Sequence, residues 1–120
     1  MVNDQEKASA FYTEKLGFVI KTNVPLGKHK WLTVVAADEQ GGTELLLEPM
    51  EFQPAQVYQK ALFDAGIPLT AFHADDIEKE YDRLTKAGVN FTMKPAVMGT
   101  VKLAVFNDTC GNLIQLVQPL

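Results

Sequence analysis

Scarcity sets the first limits on this 120-residue chain. Its one cysteine, Cys110, permits neither an intrachain disulfide nor a paired-cysteine metal motif. No apolar run approaches the roughly 20 residues a membrane helix needs, and no basic-then-apolar leader opens the chain. A membrane is therefore not an expected partner, and a reducing cytoplasm is the expected compartment. Basic residues number 11 against 15 acidic ones, for a net charge of −4, and they are scattered. Without clustered cations there is little counterion release to drive phosphate binding, so nucleic acid is not an expected partner either. A glycine-rich phosphate loop and a nucleophile elbow are both missing, so nucleotide handling and acyl transfer find no support. Only two histidines, His29 and His73, and one tryptophan, Trp31, are present.

What the chain does have is a doubled pattern. Asn3-Asp4-Gln5-Glu6-Lys7 returns as Asp75-Asp76-Ile77-Glu78-Lys79, and Lys15-Leu16-Gly17-Phe18 returns as Lys86-Ala87-Gly88-Val89. The interval between copies is shorter by one at the glycine than at the helix start, so the copies differ by one residue. The first copy predicts a helix starting at Asn3 or Asp4, with Glu6 placed to close a capping box. Ala8, Phe11, Tyr12 and Leu16 form its apolar stripe, and Gly17 ends it. Strands follow over 18–24, 31–36 and 43–48, with Pro25-Leu26-Gly27 read as a turn and 38–42 as another. Between Pro54 and Gly66 the spacing predicts a short surface helix. The second copy predicts a strand over 69–74, a helix over 76–87 with Ile77, Tyr81 and Leu84 on one face, and strands over 89–93, 101–107 and 112–117. That is β-α-β-β-β. Only Met1-Val2 precede Asn3, so the first copy is expected to lack its opening strand.

Several of these pieces, in this order, resemble the vicinal oxygen chelate superfamily, which includes glyoxalase I, the bleomycin-resistance proteins and the extradiol dioxygenases. The carriers are Asn3-Asp4 before Ala10-Phe11-Tyr12, the Leu16-Gly17-Phe18 step, Glu44-Leu45-Leu46-Leu47-Glu48-Pro49, the Asp75-Asp76 helix start and Asp108-Thr109-Cys110-Gly111-Asn112-Leu113-Ile114-Gln115-Leu116. The resemblance covers nearly the whole chain. It implies an α+β fold of two βαβββ modules whose mixed sheets form a cup around a ligand, and one domain over 1–120, with module one at 1–49, a connector helix at 50–68 and module two at 69–120.

In many members of that superfamily a divalent metal is held by His or Glu from four strands. Here the strand for the first ligand is missing, and the third ligand position falls on Leu69, which cannot coordinate. The fourth matches Gln115, a neutral donor. The second falls on Glu44 or Leu45 according to register. Glu44 is favoured, because the offset that maps the glycines sets it opposite Gln115, and the other register would bury Glu44 and Glu48 under a helix at a cost of several kcal/mol. Glu44 and Gln115 are thus the candidate metal ligands. Two oxygen donors hold a divalent ion poorly, so no cofactor is expected, although a divalent metal stays open.

By alternation, Leu69, Ala71 and His73 share the face that the resemblance turns toward the cup, with His73 about 13 Å along the strand from the ligand position. His73 reads as a pocket-lining histidine without an identified orienting partner, and His29 as a solvated loop residue. Trp31 or Leu32, Leu46, Glu48, His73 and Gln115 are the candidate ligand contacts. Two functions then compete. One is a sequestering protein of the bleomycin-resistance type, holding a small apolar or aromatic ligand without chemistry; the other is a metal-dependent lyase, isomerase or dioxygenase. The exposed strand edges of a three-stranded first half lead us to expect a homodimer, which sedimentation would test.

Overall fold

The computed structural model describes residues 1–120, and the chain divides into two compact units, Met1–Tyr58 and Gln59–Leu120. In the first unit helix α1 (Gln5–Ala10) continues as a π-helical turn (Phe11–Lys15), followed by β1 (Val19–Leu26), β2 (His29–Val35) and β3 (Leu45–Leu46). Helix α2 (Gln53–Asp64) leads into the second unit, which holds β4 (Thr70–His73), α3 (Ile77–Lys86), β5 (Phe91–Met98), β6 (Val101–Asn107) and β7 (Leu113–Pro119). None of the helices is long and apolar enough to cross a membrane.

Both units follow one plan. The second sheet runs β4-β7-β6-β5, with β4 parallel to β7 and the other pairs antiparallel. The first runs β1-β2-β3, all antiparallel. Where the second sheet has β4, the first has a single bridge residue, Val2. Val2 N donates to Glu48 O at 2.8 Å in a parallel bridge, as Ala74 N donates to Val117 O at 2.9 Å in the second unit.

The helices start as the cap residues dictate. Asp4 accepts from Lys7 N and Asp76 from Lys79 N, each carboxylate satisfying one free donor of its first turn. Glu6 does not close a capping box. With Asp4 as the cap it sits one residue too early to reach back, and it pairs with Lys30 instead. The one-residue mismatch between the copies has a local cause, because Leu16 N reaches back five residues to Phe11 O, and this π-helical turn takes up the extra residue.

Pro25 lies inside β1 and does not mark a turn. β1 is an edge strand, where a missing N–H is tolerated, and the chain reverses at Gly27-Lys28. Gly27 (φ 61°) and its counterpart Gly99 (φ 64°) take the left-handed conformation at the first turn position of a two-residue hairpin. Likewise β5, also at an edge, runs past Pro95 to Met98 and not merely to Met93. It carries two register shifts where β1 has one, so that by Leu26 and Met98 the interval between copies is again that of the helix starts. The third strand, expected over 43–48, is paired only at Leu45–Leu46.

Each sheet buries one face beneath its helix. In the first unit Leu32, Val34 and Leu47 are buried together with Ala8, Phe11 and Tyr12 of the helical segment. Gln5 pins that segment to the sheet, donating to Lys30 O at 2.8 Å and Leu47 O at 2.9 Å. In the second unit Ala104, Phe106, Ile114 and Leu116 are buried with Ile77 and Leu84 of α3. Tyr81 meets the Phe91 ring at 4.7 Å, and Phe91 meets Phe106 at 5.6 Å. Full burial of a side chain of this size contributes about 1.5–3 kcal/mol, so these faces hold the helices in place. Helix α2 buries no side chain fully and leaves Val57 and Tyr58 exposed, as a surface helix should.

Candidate functional site

The sheet faces turned away from the helices carry the candidate residues. In the second unit the register sets Ala71, Gln115, Val105 and Met93 in one row across four strands, and His73, Val117, Leu103 and Ala96 in the next. In the first unit Thr33 pairs with Leu46 and with Thr22, and Trp31 with Val24. Trp31 is half exposed at 48%, while Thr33 beside it is buried.

Glu44 falls on the face of Thr33, whose hydroxyl donates to its Oε1 at 2.8 Å; Leu45 takes the face of Val34. The counterpart of Gln115, however, is Leu46. Thr33 stands where Val105 does in the other copy, and Thr33 pairs with Leu46 as Val105 pairs with Gln115. The chain from Thr33 to Leu46 is longer by three than the chain from Val105 to Gln115, so the offset read at the glycines does not carry across this turn. Glu44 therefore precedes the strand by one residue. Glu48 follows buried Leu47 and is exposed on the opposite side.

Neither unit by itself offers a divalent ion a fitting donor set. No three His, Cys, Asp or Glu side chains converge, Gln115 is a lone neutral amide between Ala71 and Val105, and Leu69 is apolar. Glu44 is already engaged by the Thr33 hydroxyl.

His73 does have a partner that sequence reasoning missed. Because Asp76 takes the capping role, Asp75 is released, and its Oδ1 lies 2.9 Å from His73 Nε2. The pair is open to water, with side chains 63% and 100% exposed, so the contact orients the ring weakly. His29 is not a solvated loop residue: it begins β2, and its Nε2 lies 2.8 Å from Glu51 Oε1 in a close contact poorly aligned for a hydrogen bond. Lys28 Nζ reaches the same oxygen at 2.7 Å. The hydrogen bond from Lys28, and after it the closeness of His29, holds the Glu51 carboxyl down to about 2. A cleft of about 370 Å³ in the second unit also escaped the sequence. Its walls include Gln59, Lys60, Phe63 and Asp64 of α2 together with Asn107 and Thr109, and helix spacing alone gives no sign of the last two.

Two helix-backed open sheets built on one β-α-β-β-β plan define the class. The chain belongs to the glyoxalase/bleomycin resistance protein/dioxygenase superfamily, whose sequence profile matches residues 1–116. It is 58% identical over 117 residues to YurT, an uncharacterized protein of Bacillus subtilis (strain 168), covering 98% of this chain and 92% of YurT. The crystal structure of UcmS2 is similar at a TM-score of 0.82 and 32% identity, covering 97% of this chain and 90% of UcmS2. TnmS3, an antibiotic binding protein from Streptomyces sp. CB03234, is similar at 0.75 and 29% identity, covering 99% of this chain and 89% of TnmS3.

Proposed function

We propose that this protein binds and sequesters a small, flat, mostly apolar molecule, with no chemistry and no resident metal. The observation that carries the reading is the composition of the helix-free faces. They hold Trp31, Leu46, Val105, Leu103 and Val117 with a few polar groups such as Thr33, Gln115 and His73, which is the make-up of a small-molecule site. A similar protein described as antibiotic binding supports the same class of ligand. The donor sets of the two units, taken singly, favour this over metal-dependent lyase, isomerase or dioxygenase chemistry.

A thermal-shift screen of aromatic natural products and antibiotics on metal-analysed protein tests the proposal. Hits should raise the melting temperature equally before and after chelator treatment. A hit that is consumed, or whose binding needs a stoichiometric metal, would promote the enzyme reading.

A further inference from the structure

The charge of the ligand is written on the first sheet. Its helix-free face carries the paired rows Val24–Trp31, Thr22–Thr33–Leu46 and Val19–Val35, and by alternation Glu48 and Glu44, just outside β3, continue the first and the third. The outer rows extend the Thr33–Leu46 register by two residues each way. The hydrogen bond from Leu47 N to Leu32 O at 2.9 Å carries it toward Glu48, and the one from the Thr33 hydroxyl fixes Glu44. Two carboxylates therefore flank the Thr33–Leu46 row, with Trp31 in the row of Glu48, at a separation along the strand of about 13 Å, comparable with the length of a tricyclic aromatic.

Two of the three lysines of this hairpin are paired elsewhere. Lys30 pairs with Glu6 on the helix side and Lys28 with Glu51. Lys21 occupies the bulge between Ile20 and Thr22, so the two carboxylates outnumber the one lysine left on this hairpin. A neutral apolar ligand lying over Trp31 would strip water from carboxylates that carry excess negative charge, at a cost. A ligand bearing positive charge offsets that cost, and the face of the tryptophan adds cation–π attraction.

Resting on the reading that this face binds the ligand, we infer that the ligand is a planar aromatic cation carrying a protonated amine or ring nitrogen, with Glu44 and Glu48 selecting its charge and Trp31 its plane. Trp31 is the single tryptophan of the chain, so its fluorescence reports directly on this face.

Three tricyclic probes test the inference by calorimetry with Trp31 fluorescence alongside: 9-aminoacridine, a cation at neutral pH; acridone, neutral; and anthracene-9-carboxylate, an anion. The cation should bind about tenfold tighter than acridone, with the anion weakest and with Trp31 emission quenched. The double variant Glu44→Gln with Glu48→Gln keeps an acceptor for Thr33 and should erase most of that preference, as should salt at about 0.5 M. Binding without a charge preference, a preference that survives the double variant, or binding that leaves Trp31 emission unchanged overturns the inference alone. If none of the three binds, the proposed function falls and takes the inference with it.

Discussion

The two units begin alike and diverge at their turns. Both open with an aspartate cap, both cover one sheet face with a helix, and both reverse their long hairpin at a glycine with φ near 60°. The second closes its last hairpin with a buried network, in which Asp108 Oδ1 accepts from Cys110 N at 2.7 Å and Asn112 N at 3.0 Å while Oδ2 accepts from Asn112 Nδ2 at 2.8 Å. The first closes the matching turn over exposed residues, with Glu39 N bonded to Ala36 O and Gly42 N to Glu39 O. Length has therefore changed only where it can be absorbed, in a π-helical turn, in the bulges of edge strands and in an open turn. The paired positions of the central strands stay in register.

One pair of deletions would break this comparison most sharply. Removing Asp82 from α3, a plain helix, rotates everything after it by about 100° and swings Leu84 out of the core. Losing that burial alone costs about 2–5 kcal/mol, a large share of the total stability of a small domain. Removing Glu14 from the π-helical turn should instead leave a regular helix like α3 and cost about 1 kcal/mol or less. Thermal melts by circular dichroism would check this, and equal losses would mean that the π turn is structurally required.

A smaller effect separates the closing turns. Asp108→Ala leaves buried donors without an acceptor and should cost about 3 kcal/mol in chemical denaturation. Asp38→Ala in the exposed turn of the first unit should stay within about 0.5 kcal/mol. Similar losses at both positions would mean that the open turn is as strictly held as the buried one.

The smallest effect belongs to Glu51. Its folded-state pKa of about 2 lies below the ordinary value of 4.5. The contribution is therefore present above the unfolded pKa and is lost as the pH falls from there toward 2. Exposure to water keeps it small and easily screened by salt. An NMR titration of the Glu51 carboxyl should show the low midpoint in the parent protein and a rise on Lys28→Ala.

What the sequence made legible was local. The aspartate caps, the apolar stripe of α3 and the repeat itself depend on residues within a few positions of one another, and they stand where the pattern put them, although the capping box expected at Glu6 does not form. The mismatch of one residue was visible as a count, but the π turn that absorbs it was not, because nothing in Phe11–Lys15 dictates where the extra residue is taken up. Glu44 was set opposite Gln115 by a constant offset, and a longer turn displaced it, since turn length is free to drift where no pairing constrains it. The Thr33–Glu44 and His73–Asp75 contacts depend on strand register and on which aspartate caps α3. Pro25 was misread because proline signals a break in general, while an edge strand accommodates it.

That proline has a further consequence. In a hairpin closed by two residues, Leu26 and His29 form the bonded pair, so the next pair, Pro25 and Lys30, turns its backbone groups outward. The N–H that Pro25 lacks is thus one that the open border of the sheet would otherwise display. A stray strand arriving there finds a gap in the row of donors, and Pro95 at the border of the other sheet interrupts a second template. Both outer margins are poor seeds for fibril growth, a safeguard that leaves the helix-free faces free to stay apolar.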